Sequence, residues 1–384
     1  MGLFSSEQSY LGIDFDNNSV KVVQLTNENG RPRLVTYGYI DRKIEREKID
    51  SGRSDNPEVA KIIQHVCRKA KTTTTKVITA LPAYSVFSSV LNLPVSAKKD
   101  LASAVKWEAK KVIPLPVEDM ILDWKVLQDF TDEPSGEKNP AENGQGPNGE
   151  SKGFDDLRQR SFLKIASTKK GVYTKILLTA APKDLVKRYI NIFKSAGLNL
   201  LSLDTESFAL VRSLVGNDPS ALMIVDIGSV VTNISVVVNG IPLLNRSLDI
   251  GGLTITQAIA NSLNISLERA EQFKYDIGIS PDRAGQGNIP QTIESTIVPI
   301  VDELKYSLNL YRNQSQKPIE KVILTGGSSL LLNLPEYLAK AVNLKVYRGD
   351  PWARIIYPGE LKPVLDEIGS RFSVAIGLAM RNIE

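Results

Sequence analysis

The chain is poor in the residues that metal and nucleophilic chemistry most often use: its 384 residues include one cysteine, Cys67, and one histidine, His65. Cys67 has no partner for a disulfide, and one residue of each kind cannot furnish a zinc site. Both fall in an apparent helix, Pro57–Lys71, where the thiol reads as a half-buried side chain. Metalloprotease, serine-hydrolase and thiol-protease chemistry are therefore poorly supported. Long apolar runs are missing too. None approaches the roughly 20 residues of a membrane-spanning helix, and Met1–Ser6 lacks the apolar core of a secretory signal. These absences predict a cytoplasmic protein. Nor is there a large excess of charge, since 47 basic residues face 43 acidic ones for a formal net charge of +4. That balance leaves no electrostatic footprint for nucleic acid.

Hydrophobic residues make up 42% and charged residues 23% of the chain, which is ordinary for a globular protein. The length predicts two domains. Strands are expected at Leu11–Phe15, Ser19–Leu25 and Arg33–Ile40, with a turn at Asn27–Gly30. A further strand is expected at Lys76–Leu81, and helices at Lys98–Lys111 and Pro182–Ala196, the latter ended by Gly197. The stretch Asp129–Arg160 is rich in Pro, Gly, Asn, Asp and Glu and reads as a disordered loop on a hairpin of Ile121–Leu127 and Thr174–Ala180. Later strands are expected at Ala221–Asp226, Thr232–Asn239, Ile241–Leu248 and Lys321–Leu324. Helices are expected at Gly252–Leu263, Leu267–Tyr275, Ile293–Asn313 and Leu334–Ala341.

Two segments repeat one design. Gly12-Ile13-Asp14-Phe15-Asp16 and Val225-Asp226-Ile227-Gly228-Ser229 each put an aspartate at the end of an apolar strand, before a tight turn and a second strand. This suggests a duplicated domain with two facing hairpins. Turn amides can point at phosphate oxygens, and glycine lets backbone come close. An aspartate beside such a turn can hold magnesium, usually through water. Lys21 can add positive charge if it faces the same site, and Thr232 is placed to offer a hydroxyl. Thr325-Gly326-Gly327-Ser328 is either an ordinary strand-to-helix glycine turn or a flat backbone surface for a ring. Glu271 and Lys274 share a helical face, either as an exposed ion pair worth about 0.2–0.5 kcal/mol or as an acid and base at a site.

In this order, strand-Asp-turn, Glu-Ser-Phe-Ala-Leu, strand-Asp-x-Gly, E-x-x-K and T-G-G-S resemble the actin, heat-shock chaperone and sugar-kinase superfamily. Within it the chain is most similar to the PilM family of type IV pilus assembly proteins. The resemblance rests on Leu11–Leu25, Val105-Lys106-Trp107-Glu108-Ala109, Ile113-Pro114-Leu115-Pro116, Leu203–Ala209 and Val374–Arg381. It implies an α/β, actin-like two-domain ribonuclease-H-like fold with an α+β subdomain inserted in the first half. The first domain would comprise 1–83 and 192–219, completed by a C-terminal helix over 370–384. The insert would be 84–191, and the second domain 220–369 with a small helical subdomain at 253–318.

The resemblance also implies ATP and Mg2+. The phosphates would lie between the loop of Asp14, Asn17, Asn18 and Ser19, with Lys21, and the loop of Asp226, Gly228, Ser229 and Thr232. Asp14, Asp226 and Glu206 would serve the metal, Glu271 and Lys274 the nucleoside, and Gly326, Gly327 and Ser328 the base. Any ATPase activity would be slow. The implied partner is the N-terminal cytoplasmic peptide of the inner-membrane protein PilN, which would link the chain indirectly to the pilus motors. Contact with the cytoplasmic face of the inner membrane would run through that partner. One departure stands out: Asp16 occupies a position where the family usually has glycine, and its charge would oppose phosphate. The alternatives are a small-molecule kinase of the same superfamily, or an FtsA-like division protein, which would normally end in an amphipathic membrane helix.

Overall fold

The first hairpin shows the sequence logic at work. Strand β1 (Ser9–Phe15) and the first eight residues of β2 (Ser19–Glu28) are almost wholly buried, and in β2 that burial takes in the polar Ser19, Lys21, Gln24 and Thr26 beside Val20, Val22, Val23 and Leu25. Asn29 and Gly30 then take φ of 54° and 82°, the type I′ geometry that Asn-Gly favours. Strand β3 (Arg31–Asp41) returns antiparallel. The structure, a computed structural model, describes residues 8–16, 19–41, 57–94, 101–127, 173–279, 288–313, 315 and 317–383. Asn17, Asn18 and the stretch Asp129–Arg160 lie outside the described residues.

Met1–Ser85 with Asp184–Glu384 forms one compact unit, and Val86–Lys183 forms another. In the larger unit, β4 (Lys76–Leu81) and β8 (Asn199–Thr205) extend the first sheet in parallel, giving the order β3-β2-β1-β4-β8. The chain then repeats itself. Strands β9 (Ala221–Ile227), β10 (Thr232–Val238), β11 (Ile241–Leu248), β12 (Lys321–Thr325) and β13 (Lys345–Arg348) assemble in the order β11-β10-β9-β12-β13. Each sheet has two antiparallel steps followed by two parallel ones. Even the turn recurs, with Asn239 and Gly240 at φ of 50° and 71°.

Helix α1 (Pro57–Lys69) buries Val59, Ile62, Ile63, Val66 and Cys67 at helical spacing. Burial pushes the Cys67 thiol up to about 11, so it is an inert packing group. Helices α3 (Lys183–Ser195) and α4 (Glu206–Leu214) flank β8, and Thr205 caps α4 by accepting from the Phe208 amide. Helices α5 (Gly252–Leu263), α6 (Leu267–Ile277) and α7 (Asn288–Arg312) form a cluster, followed by α8 (Leu334–Val342). The last helix, α9, runs over Lys362–Met380 and so starts eight residues before the expected 370. From Phe372 to Met380 every residue of α9 is buried. Near its start the Trp352 indole donates to Leu365 O at 3.0 Å. The Gly326 amide donates to Ser370 O at 2.9 Å, tying α9 to the end of β12.

In the smaller unit, β5 (Phe87–Pro94), β7 (Tyr173–Pro182) and β6 (Met120–Val126) make an antiparallel sheet in the order β5-β7-β6. Helix α2 (Leu101–Val112) sets Val105 and Ala109 into its core with Leu91, Leu93, Ile176 and Leu178. Val126 and Ile176 face each other across β6 and β7, the two strands that flank Asp129–Arg160.

Candidate functional site

At the end of β1, Asp14 stands opposite Lys21 on β2. The Lys21 ammonium lies 3.0 Å from Asp14 Oδ2 and 3.2 Å from Asp16 Oδ2. Burial opposes the charge on Lys21, but Asp14 and Asp16 together outweigh it and hold its pKa above that of a free lysine. For Asp14 burial dominates over the pull of Lys21, and with Asp16 adding repulsion its pKa is raised. Asp16 turns back on its own loop. It accepts from the Ser19 amide at 2.8 Å and the Ser19 hydroxyl at 3.0 Å, and its own amide donates to Ser19 O at 2.9 Å.

The second hairpin repeats this placement with different residues. Asp226 stands opposite Asn233, whose side-chain amide donates to Glu206 Oε2 at 3.0 Å. The Ala83 amide donates to the same oxygen at 2.9 Å. Glu206 opens α4, and burial, with the charges of Asp14 and Asp226, pushes its carboxyl up to about 8. Burial and Asp14 push Asp226 up to about 7, against some relief from Lys21. Both carboxylates keep some accessible surface, so these shifts carry a partial, solvent-moderated stress.

Four acidic groups, Asp14, Asp16, Asp226 and Glu206, thus act on one another, and Lys21 offsets the charge at Asp14, Asp16 and Asp226. A divalent cation fits such a charge deficit, because it would favour the ionised forms that burial disfavours. Among the described residues no three His, Cys, Asp or Glu side chains converge closely enough to cage a metal unaided. A magnesium ion here would therefore take most of its ligands from water and phosphate, as Mg2+ commonly does.

The acidic cluster makes a pH prediction. Raised carboxyl pKa values mean that the folded state holds protons which the unfolded chain releases above about pH 4. Stability is thus complete below that range and is lost as pH rises through about 7 to 8 at Asp226 and Glu206. Between about pH 5 and 8.5 the metal-free protein should lose on the order of 1–2 kcal/mol relative to a Glu206→Gln, Asp226→Asn double variant. Thermal melts across that range check it, and parallel curves for the two proteins would refute it.

Thr232 does not present its hydroxyl to the turn. It is fully buried, and Oγ1 donates to Ile250 O at 2.6 Å. The second turn is closed instead by the Gly228 amide on Val231 O at 3.0 Å, while Ser229 O accepts from the Leu253 amide at 2.8 Å. Gly326, at φ 83°, lies against this hairpin, since a Cβ there would overlap Asp226 Oδ1 and Ile227 O.

Next to it the E-x-x-K and T-G-G-S motifs meet across Gly252. A Cβ on Gly252 would overlap Ser328 Oγ and stand 3.3 Å from Lys274 Nζ. Lys274 is only 1% exposed while the Glu271 side chain is 45% exposed, so the pair is buried on its lysine side and open to solvent on the other. Its ammonium donates to both Glu271 oxygens at 2.8 Å, to Thr256 Oγ1 at 3.0 Å and to Gly252 O at 3.3 Å. Burial lowers its pKa, and Glu271 partly offsets this. Tyr275 Oη donates to Gly327 O at 3.3 Å.

Sequence reasoning missed Asn233, the Ala83 amide, Thr256 and Gly252. Asn233 could have been found by aligning the two hairpins, because it takes the register position of Lys21.

Comparison with known proteins gives this arrangement a lineage. Residues 12–139 and 161–383 match the family described as type IV pilus assembly protein PilM. The chain belongs to that family. The match passes over 140–160, within the stretch that its composition sets apart. Among solved structures, the chain is similar to the PilM-PilN type IV pilus biogenesis complex, with a TM-score of 0.74, 24% identity and 98% of each chain covered. It is also similar to the ethanolamine utilization protein EutJ from Carboxydothermus hydrogenoformans, with a TM-score of 0.50, 15% identity, and 97% of this chain and 89% of that one covered.

The fold is therefore the actin-like one, mixed α/β with an inserted unit. Two cell division proteins FtsA are similar over shorter stretches. That of Rhizobium meliloti (strain 1021) is 28% identical over 178 residues, 40% of this chain and 38% of that protein. That of Neisseria meningitidis serogroup B (strain ATCC BAA-335 / MC58) is 25% identical over 228 residues, 53% of each. The chain thus spans about two fifths to half the length of these relatives. Among the described residues no helix is long and apolar enough to cross a membrane.

Proposed function

We propose that this family member is an ATP-binding scaffold of the type IV pilus assembly machinery, holding the N-terminal cytoplasmic tail of PilN. Bound in this way, it would sit at the cytoplasmic face of the inner membrane and connect the membrane complex to the pilus motors. The observation that carries the reading is the family match over nearly the whole chain, supported by likeness to a structure described as a PilM-PilN complex. It favours a pilus role over a kinase or a division protein.

For the nucleotide, the duplicated hairpins supply the reading. The β1–β2 and β9–β10 turns would flank the phosphates, with Asp14, Asp226 and Glu206 around hydrated magnesium. The magnesium would supply charge neutralisation at the phosphates. Lys21 keeps its proton beside Asp14 and brings fixed positive charge. Glu271 and Lys274 would meet the nucleoside, and Gly326–Ser328 would border the base.

A fluorescent peptide with the sequence of the PilN tail should bind the full chain saturably in an anisotropy titration, with Mg2+–ATP present or absent. No binding under either condition would remove the centre of this proposal.

A further inference from the structure

The two hairpins are alike in strand order, register and the placement of their first aspartate, but they differ one step further on. The second hairpin has Gly228 two residues after Asp226, and the first has Asp16 two residues after Asp14. The Asp16 carboxylate is folded inward, with Oδ1 on the Ser19 amide at 2.8 Å and Oδ2 on the Ser19 hydroxyl at 3.0 Å. The same Oδ2 lies 3.2 Å from the Lys21 ammonium. A backbone amide, a hydroxyl and an ammonium converging on two oxygens of one anion are what a phosphate-binding turn offers to phosphate.

We propose that Asp16 is a resident anion of the first loop: its carboxylate takes the donors that a nucleotide phosphate needs, and so sets affinity for Mg2+–nucleotide low. This rests on the nucleotide reading given above and adds a determinant of affinity to it. Binding would require Asp16 to swing out, exposing the Ser19 amide and hydroxyl and freeing Lys21 to face the phosphate. Two costs follow: the lost contacts of Asp16, and the repulsion between its displaced charge and the incoming phosphate. The second hairpin carries neither cost, because Gly228 has no side chain.

The test uses the full chain with Asp16→Gly and Asp16→Asn, and a fluorescent ATP analogue titrated with Mg2+. Asp16→Gly removes both costs and should bind about tenfold more tightly than the parent. Asp16→Asn keeps an oxygen for the Ser19 amide but loses the charge, and should fall between the two. Hydrogen exchange of the nucleotide-free proteins provides a readout independent of the ligand. The Ser19 amide should be protected in the parent and exchange faster in Asp16→Gly. Equal or weaker nucleotide binding by both variants overturns the proposal and leaves the nucleotide reading standing. If neither the parent nor the variants bind, the nucleotide reading itself falls, and this proposal with it.

Discussion

Asp226→Asn is expected to weaken Mg2+–ATP binding by about a hundredfold or more, while raising the melting temperature of the nucleotide-free protein near pH 8. The two effects have one origin. Burial and the neighbouring Asp14 push the Asp226 carboxyl up to about 7, so its charge is a strain on the free fold at that pH. On the proposed reading a cation and a nucleotide would turn this strain to use, since the charge would hold hydrated magnesium. The amide keeps the shape and drops the charge.

Asp14→Ala should lose binding as well, but with the opposite effect on the free protein. Lys21 is buried and sits 3.0 Å from Asp14, and removing that partner leaves a buried ammonium that still faces Asp16 at 3.2 Å but has lost its nearer carboxylate. Calorimetric titration and thermal melts of both variants test the pair of signs. Undiminished nucleotide binding in both would move the phosphates away from these hairpins.

Gly377→Ala is expected to destabilise the protein by about 3 kcal/mol or more, although helix propensity alone would favour alanine by about 1 kcal/mol. Packing decides the sign. A Cβ at Gly377 would stand 2.5 Å from the carbonyl carbon of Ala209 on α4 and closer still to its oxygen. The obstacle is backbone, which cannot step aside as a side-chain tip can. Gly12 on β1 meets α9 in the same way, with a Cβ there 2.6 Å from Ala379 N and closer still to Ala375 O. Gly359→Ala, which meets nothing within 4 Å, should be nearly neutral. Urea unfolding of the two variants measures the order, and a stable Gly377→Ala protein would refute the packing account.

Much of the fold was legible because several elements carry unambiguous local signals. The strand Lys76–Leu81, the strand Ile241–Leu248 and the helix Gly252–Leu263 have the expected bounds. The Asn-Gly turns supply punctuation that needs no tertiary context. Strands β5 and β8 lack such signals. β5 buries Ser89 alongside Leu91 and Leu93, so its alternation is broken by a hydroxyl. β8 is an edge strand with no fully buried residue.

The start of α9 was obscured by Pro363 in its first turn and by Gly369, which weakens helical propensity but allows close packing against Trp352. At the site, the two aspartates were legible through internal repetition. The direction of the Thr232 hydroxyl was not, because the carbonyl that captures it is 18 residues away. Nor could the burial of Lys274 be foreseen, since Gly252 and Ser328 close around it from other elements.

The position of α9 has a consequence for biosynthesis. The first sheet is made of residues synthesised early, yet β1 and α4 are covered by a helix that begins at Lys362. Until that helix has left the ribosome, the underside of β1 has no apolar lid, and Gly12 and Ala209 face an empty groove. The second sheet waits on the same helix, since Leu222, Ile224, Val237 and Ile323 share one core with Phe372, Ala375 and Ile376 of α9. One late helix thus completes both halves, and the half made first waits longest for it.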